Sequence, residues 1–153
     1  MPTQQLKEFL DRQQIAYTSV KHQAASTTQR IAAVAHVSGD ALAKTVMITI
    51  DGAMAMAVLP APQHLDIEKL RQAVAAQKID LATEMAFVNR FPDCEAGAMP
   101  PFGNLYGMKV FLDKSLSLHN EIWFNAGTHS ELLKMAIADF IGLIQPEIID
   151  FSR

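Results

Sequence analysis

Ala43-Lys44-Thr45-Val46-Met47-Ile48-Thr49-Ile50-Asp51-Gly52-Ala53-Met54-Ala55-Met56-Ala57-Val58-Leu59 is the stretch that decides the fold class. Asp-Gly between two β-like runs is the strongest short-range hairpin signal a sequence offers. Side chains alternate faces along a strand, so Lys44, Val46, Ile48 and Ile50 share one face. The return run, Ala53 to Leu59, is apolar on both faces and therefore reads as a central strand; Pro60 and Pro62 end it. Lys44 is the odd residue out. An ammonium on an apolar face either snorkels to water or meets an anion. Alternation alone leaves both readings open.

Outward from the hairpin, helices and strands interleave. Thr3 can cap a helix to about Gln13, with Leu6, Phe9 and Leu10 inward. Tyr17 to Lys21 reads as a short strand. Ser26 or Thr27 can cap a second helix through about His36, closed by Ser38 and a left-handed Gly39. Asp66 can cap a third helix, Ile79 to Leu81 a short strand, and Thr83 can cap a fourth helix through Phe87, Val88 and Phe91 to Pro92. Lys109 to Leu112 and Glu121 to Asn125 read as strands. Ser130 to Gln145 fits one long helix, or a strand followed by a helix capped near Asp139. The expected architecture is a single α/β domain over 1–153, with a mixed sheet flanked by helices.

Composition sets bounds. The 153 residues are half apolar, with a formal net charge of −3. That excludes a broad basic coat and wide non-specific nucleic-acid binding, DNA included. No apolar run is long enough to span a bilayer, and the N-terminus lacks the apolar core of a signal peptide. The single cysteine, Cys94, rules out an internal disulfide and fits a reducing cytosol. The five histidines show no metal-ligand spacing, so neither metal nor cofactor is expected. No Gly-x-Ser-x-Gly elbow is present, and Asp93 and Glu95 read as solvated charge in a turn.

Two further stretches could bear chemistry. Gly97 to Gly107 holds three of the seven glycines and two of the seven prolines, a stiff loop able to leave amides bare for an oxyanion or phosphate. Asn125-Ala126-Gly127-Thr128-His129 closes a strand with a glycine, a hydroxyl and an imidazole. Each is also compatible with a plain connection.

Together, Ala43-Lys44-Thr45, Gly97-Ala98-Met99-Pro100-Pro101-Phe102-Gly103 and Phe124-Asn125-Ala126-Gly127 resemble the YbaK/ProX family over nearly the whole chain. These are aminoacyl-tRNA editing domains related to the insertion domain of bacterial prolyl-tRNA synthetase. The resemblance implies a partly barrel-like mixed sheet. It implies trans-acting hydrolysis of the ester on a mischarged tRNA, a small residue such as Ala or Cys on a proline tRNA. It also implies metal-free chemistry helped by the substrate 2′-hydroxyl and backbone amides. On that reading Lys44, Gly103 and Gly127 serve the reaction, while Gly97, Met99, Pro101, Phe102, Thr128 and His129 line the substrate site. The partner is the acceptor end of an aminoacyl-tRNA, with a synthetase as a further partner. Two other readings remain: a non-catalytic ligand- or synthetase-binding module of the same fold, and a hydrolase dependent on Cys94.

Overall fold

The computed structural model describes residues 2–21, 39–91, 94–95 and 98–153. The second helix expected near Ser26–His36 and the loop residue Gly97 lie outside the described residues. Among the described residues eight strands form two sheets. The larger has the order β4-β2-β3-β5-β8, from β2 (Ala43–Ile50), β3 (Ala53–Pro60), β4 (Ile79–Leu81), β5 (Lys109–Asp113) and β8 (Glu147–Ile149). The smaller has the order β1-β7-β6, from β1 (Tyr17–Lys21), β6 (Glu121–Asn125) and β7 (Glu131–Ala136). The helices are α1 (Pro2–Arg12), α2 (Ile67–Ala73), α3 (Glu84–Phe87), α4 (Lys114–Ser117) and α5 (Ile137–Ile144). Among the described residues no helix is long and apolar enough to cross a membrane.

The hairpin forms as the sequence requires. β2 and β3 pair antiparallel from Ala43–Pro60 to Ile50–Ala53. Asp51 and Gly52 both have positive φ, 48° and 87°, which matches the right-handed twist of the flanking strands. The Asp51 carboxylate also accepts from the amides of Gln77 (3.0 Å) and Lys78 (2.8 Å), so the turn anchors the start of β4. β3 lies centrally, with β5 parallel on its other side.

Alternation along these strands divides the interior into two cores. Met47, Met56, Val58, Val110 and Leu112 face a core shared with the smaller sheet (Ile122, Phe124, Leu133, Met135) and with Leu6, Leu10 and Phe140 of α1 and α5. Ile48, Ala55, Ala57, Leu59 and Phe111 face the opposite side, where Leu70 of α2 and Phe151 close a second core. β3 is therefore apolar on both faces because both are covered.

The sheet is not closed into a barrel. Among the described residues the two sheets are joined by one parallel bridge, Leu42 to Trp123. Other departures are local. α1 begins at Pro2, ahead of Thr3; a first-turn proline loses no needed donor. Gly39 starts a 3₁₀ turn, Gly39–Ala41, and is not left-handed. Asp66 caps α2, accepting from Lys69 N at 3.1 Å. The fourth expected helix shrinks to α3 followed by a 3₁₀ turn, Val88–Arg90. Residues 131–144 are a strand and then a helix, starting at Ile137 rather than near Asp139. α4 and β8 have no forerunner in the sequence reading. Buried Asp113 organises both by accepting from Ser115 N (3.2 Å), Phe151 N (2.9 Å) and Ser152 N (3.0 Å).

Candidate active site

Lys44 is the second residue of β2 and lies opposite Leu59 of β3. Its side chain is half-buried. Among the described residues it has neither a carboxylate partner nor a hydrogen-bond acceptor. Burial alone pulls its pKa below the ordinary lysine value. A cation that is partly desolvated and left unpaired costs stability, and a fold tolerates such a cost where a ligand will supply the missing partner.

The β6–β7 hairpin loop, Ala126–Ser130, forms a second wall. Gly127 is buried with φ of 100°, a backbone that an L side chain adopts only with strain. Its amide donates to Ala98 O (2.9 Å) and its carbonyl accepts from Glu95 N (2.9 Å). Both backbone groups of Gly127 thus fasten the stretch around Ala98 to the hairpin. His129 N adds a long contact to Glu95 Oε2, 3.4 Å. Glu95, which reads as solvated charge in the sequence, is a structural tie between the two loops. The Thr128 hydroxyl lies 3.3 Å from that of Ser130 and accepts from its amide at 3.4 Å, bracing the tip.

The glycine-proline loop is held from beneath. Met99, Pro100, Pro101, Phe102 and Gly103 are all buried. Phe102 has no exposed surface, and its ring meets Phe9, Phe124 and Phe140 at centroid distances of 6.3, 5.3 and 5.6 Å. A Cβ on Gly103 would sit 2.4 Å from Met108 O and 2.7 Å from Val110 Cγ2. Gly103 is thus required by close backbone approach. Its carbonyl accepts from Tyr106 N and Met108 N, both at 2.9 Å, which fixes the turn.

The structure therefore unites the second and third stretches directly, and Lys44 with the third through the seam. Met99 and Phe102 belong to the core between the sheets, whereas Lys44 lies on the other face of β2, with Val46 and Ile48. Among the described residues the amides of Met99 and Thr128 have no protein acceptor, unlike that of Gly127. A cleft of 660 Å³ runs from Thr128 and Ser130 across α1 and β1. It is lined by Lys7 and Lys21 against Glu8, Asp11 and Glu131, a mixed charge unsuited to a polyanion.

This fold and constellation define an α/β domain that presents a half-buried lysine across the β2–β6 seam from a hairpin whose loop is interlocked with a second, glycine-proline loop. The chain belongs to the aminoacyl-tRNA editing domain family, whose model matches residues 22–143. It is 29% identical to the multifunctional Ser/Thr-tRNA deacylase ProXp-y of Escherichia coli (strain K12), over 98% of this chain and 92% of that protein. Two solved structures share the fold at 17% identity. The crystal structure of hypothetical protein APE2540 matches with a TM-score of 0.86, covering 97% of this chain and 99% of its own. A candidate trans-editing enzyme for prolyl tRNA synthetase also gives 0.86, covering 99% and 97%.

Proposed function

We propose that this editing domain is a free-standing deacylase that hydrolyses the ester of a mischarged tRNA, the amino acid being small. The observation that supports it most is Lys44, a half-buried cation for which the described residues offer no partner. It would grip the terminal nucleotide as a point charge. Water adds to the ester carbonyl carbon, the bond to the ribose oxygen breaks, and that oxygen takes the proton. Free amino acid and deacylated tRNA leave.

The domain contributes positioning and dipoles. The ester is already activated, so the demand on the protein is modest. The Gly127 amide is committed to Ala98, so the candidate donors to a developing oxyanion are the amides of Met99 and Thr128. Gly127 and Gly103 would act by holding the loops, Pro101 and Phe102 by supporting them, and Thr128 and His129 by presenting polar groups at the hairpin tip. The metal-free route and the help of the substrate 2′-hydroxyl belong to the same proposal.

The relative's name widens the substrates to be tried: Ser and Thr belong beside Ala and Cys. Deacylation of one tRNA charged with each of the four tests the reading. A folded protein that hydrolyses none of them would leave the ligand-binding module as the better account. Cys94 packs half-buried at the edge of the first core. Full alkylation should leave hydrolysis within about two-fold, and a loss of several orders of magnitude would restore the thiol route.

A further inference from the structure

β2 and β6 belong to different sheets, and the bridge between Leu42 and Trp123 is parallel. Two residues onward along each strand stand Lys44 and Asn125. Alternation keeps both on the side of the bridged pair, while the intervening Ala43 and Phe124 face the first core. The seam thus sets Lys44 and Asn125 abreast, on the face turned away from that core. No ladder continues past the bridge among the described residues, so backbone pairing does not close the strands at this level.

Asn125 is 4% exposed, and its Oδ1 is buried without a hydrogen-bond partner. Asparagine is poorly suited to a strand, and an unmatched buried amide oxygen is destabilising. Across the seam stands a cation that also lacks a partner among the described residues, and the two are not bonded to each other. The missing group must accept from an ammonium and donate to a carbonyl oxygen. A phosphate or carboxylate would face Oδ1 with like partial charge, and an ammonium would be repelled by Lys44. A neutral hydroxyl satisfies both.

We propose that Lys44 and Asn125 form a hydroxyl-binding pair across the β2–β6 seam, with Asn125 a further substrate-binding residue whose Oδ1 accepts the hydroxyl proton. The hydroxyl comes from the terminal ribose or from a Ser or Thr side chain of the esterified amino acid. The inference rests on the deacylase reading.

The test compares wild type with Asn125→Ala and the near-isosteric Asn125→Leu. It measures kcat/KM on one tRNA charged with Ala or with Ser, melting temperature, and affinity for amide-linked aminoacyl-adenosine analogues with and without the 2′-hydroxyl and with Ala or Ser side chains. A ribose source predicts a fall of about ten- to a hundred-fold in both variants on both charged tRNAs. Loss of the 2′-hydroxyl should then weaken analogue binding to wild type but not to the variants. A side-chain source predicts the fall on Ser-tRNA alone, and loss of the Ser preference among the analogues. In either case the melting temperature holds or rises, because an unmatched polar group has left. Variants that bind every analogue like wild type, with kcat/KM within about two-fold on both tRNAs, would overturn the pair. If wild type hydrolyses no tRNA charged with Ala, Cys, Ser or Thr, the deacylase reading fails, while the analogue affinities still decide the pair.

Discussion

Lys44 holds a charge that none of the described residues neutralises, and this has a consequence for stability apart from any activity. Burial lowers its pKa in the folded chain below the unfolded value of 10.5. The unfolded state therefore binds the proton more tightly, and stability rises with pH between the two values. The cost of the buried cation is full below the folded pKa and disappears above the unfolded one. Lys44→Met should melt above wild type near neutrality, and the gap should narrow steadily towards pH 10. Melting curves across that range check the sign; a variant that melts lower than wild type at neutral pH would mean that Lys44 has a stabilising partner. The residue was conspicuous in the sequence because an isolated charge broke an apolar alternation. Asn125 was not, since a polar residue closing a strand looks ordinary until its burial and its lack of a partner are known. Glu95 was hidden for a similar reason: only the fold brings Gly127 and His129 to it.

At the scale of elements, α1 is fastened to β7 by more than its apolar stripe. Leu6 and Leu10 are fully buried, and Lys7 Nζ lies 2.7 Å from Glu131 Oε2, which also accepts from the Ser19 hydroxyl. Burial alone would raise the pKa of Glu131, but the bonds from Lys7 and Ser19 outweigh it and hold the group below the usual carboxylate range. Its contribution is therefore present above the unfolded carboxylate value and lost as pH falls through the lowered folded one. Lys7→Met removes the principal partner and leaves a mostly buried carboxylate. It should cost about 1–3 kcal/mol, or roughly 2–12 °C in melting temperature at about 2–4 °C per kcal/mol. The acid unfolding midpoint should move to higher pH. An unchanged melting temperature and acid limb would show the pair to be a surface ornament. The elements themselves were legible where local chemistry settled them, as in the Asp51-Gly52 turn and the Asp66 cap. Ser130 to Gln145 could not be settled locally. Residues 131–136 are a strand because β1 and β6 pair on either side, partners more than a hundred residues away in one case. β8 escaped notice because three residues at a parallel edge have no period to read.

For the whole molecule, the two-sheet arrangement and the charge distribution bear on how tRNA is met. The net charge is −3, and the cleft beside Thr128 mixes acids with bases. A grip limited to the single-stranded acceptor end, through two or three cations, should give a log–log salt slope of about −1.4 to −2.1, at roughly −0.7 per phosphate. A titration over a range of salt that gives a slope steeper than about −4 would demand an extended RNA footprint. The resemblance anticipated a partly barrel-like sheet, and the seam at Leu42 and Trp123 shows how far that holds: among the described residues the two sheets share a core and are bridged there without closing. That unclosed seam is where Lys44 stands, and local sequence pattern gives no hint of it, because β2 and β6 are some seventy residues apart.

The central claim is that Lys44 grips an aminoacyl-tRNA whose ester is then hydrolysed. Deacylation of a proline tRNA charged with Ala, Cys, Ser or Thr, by wild type, Lys44→Ala and Lys44→Arg beside their melting curves, tests it most directly. The account predicts hydrolysis of at least one of these by wild type. It predicts a loss of about ten- to a hundred-fold or more in Lys44→Ala, the value of one charge-assisted contact. Rescue by Lys44→Arg should be incomplete, because a planar fork does not replace a compact ammonium. A well-folded Lys44→Ala protein that hydrolyses the same tRNA at the wild-type rate would contradict it.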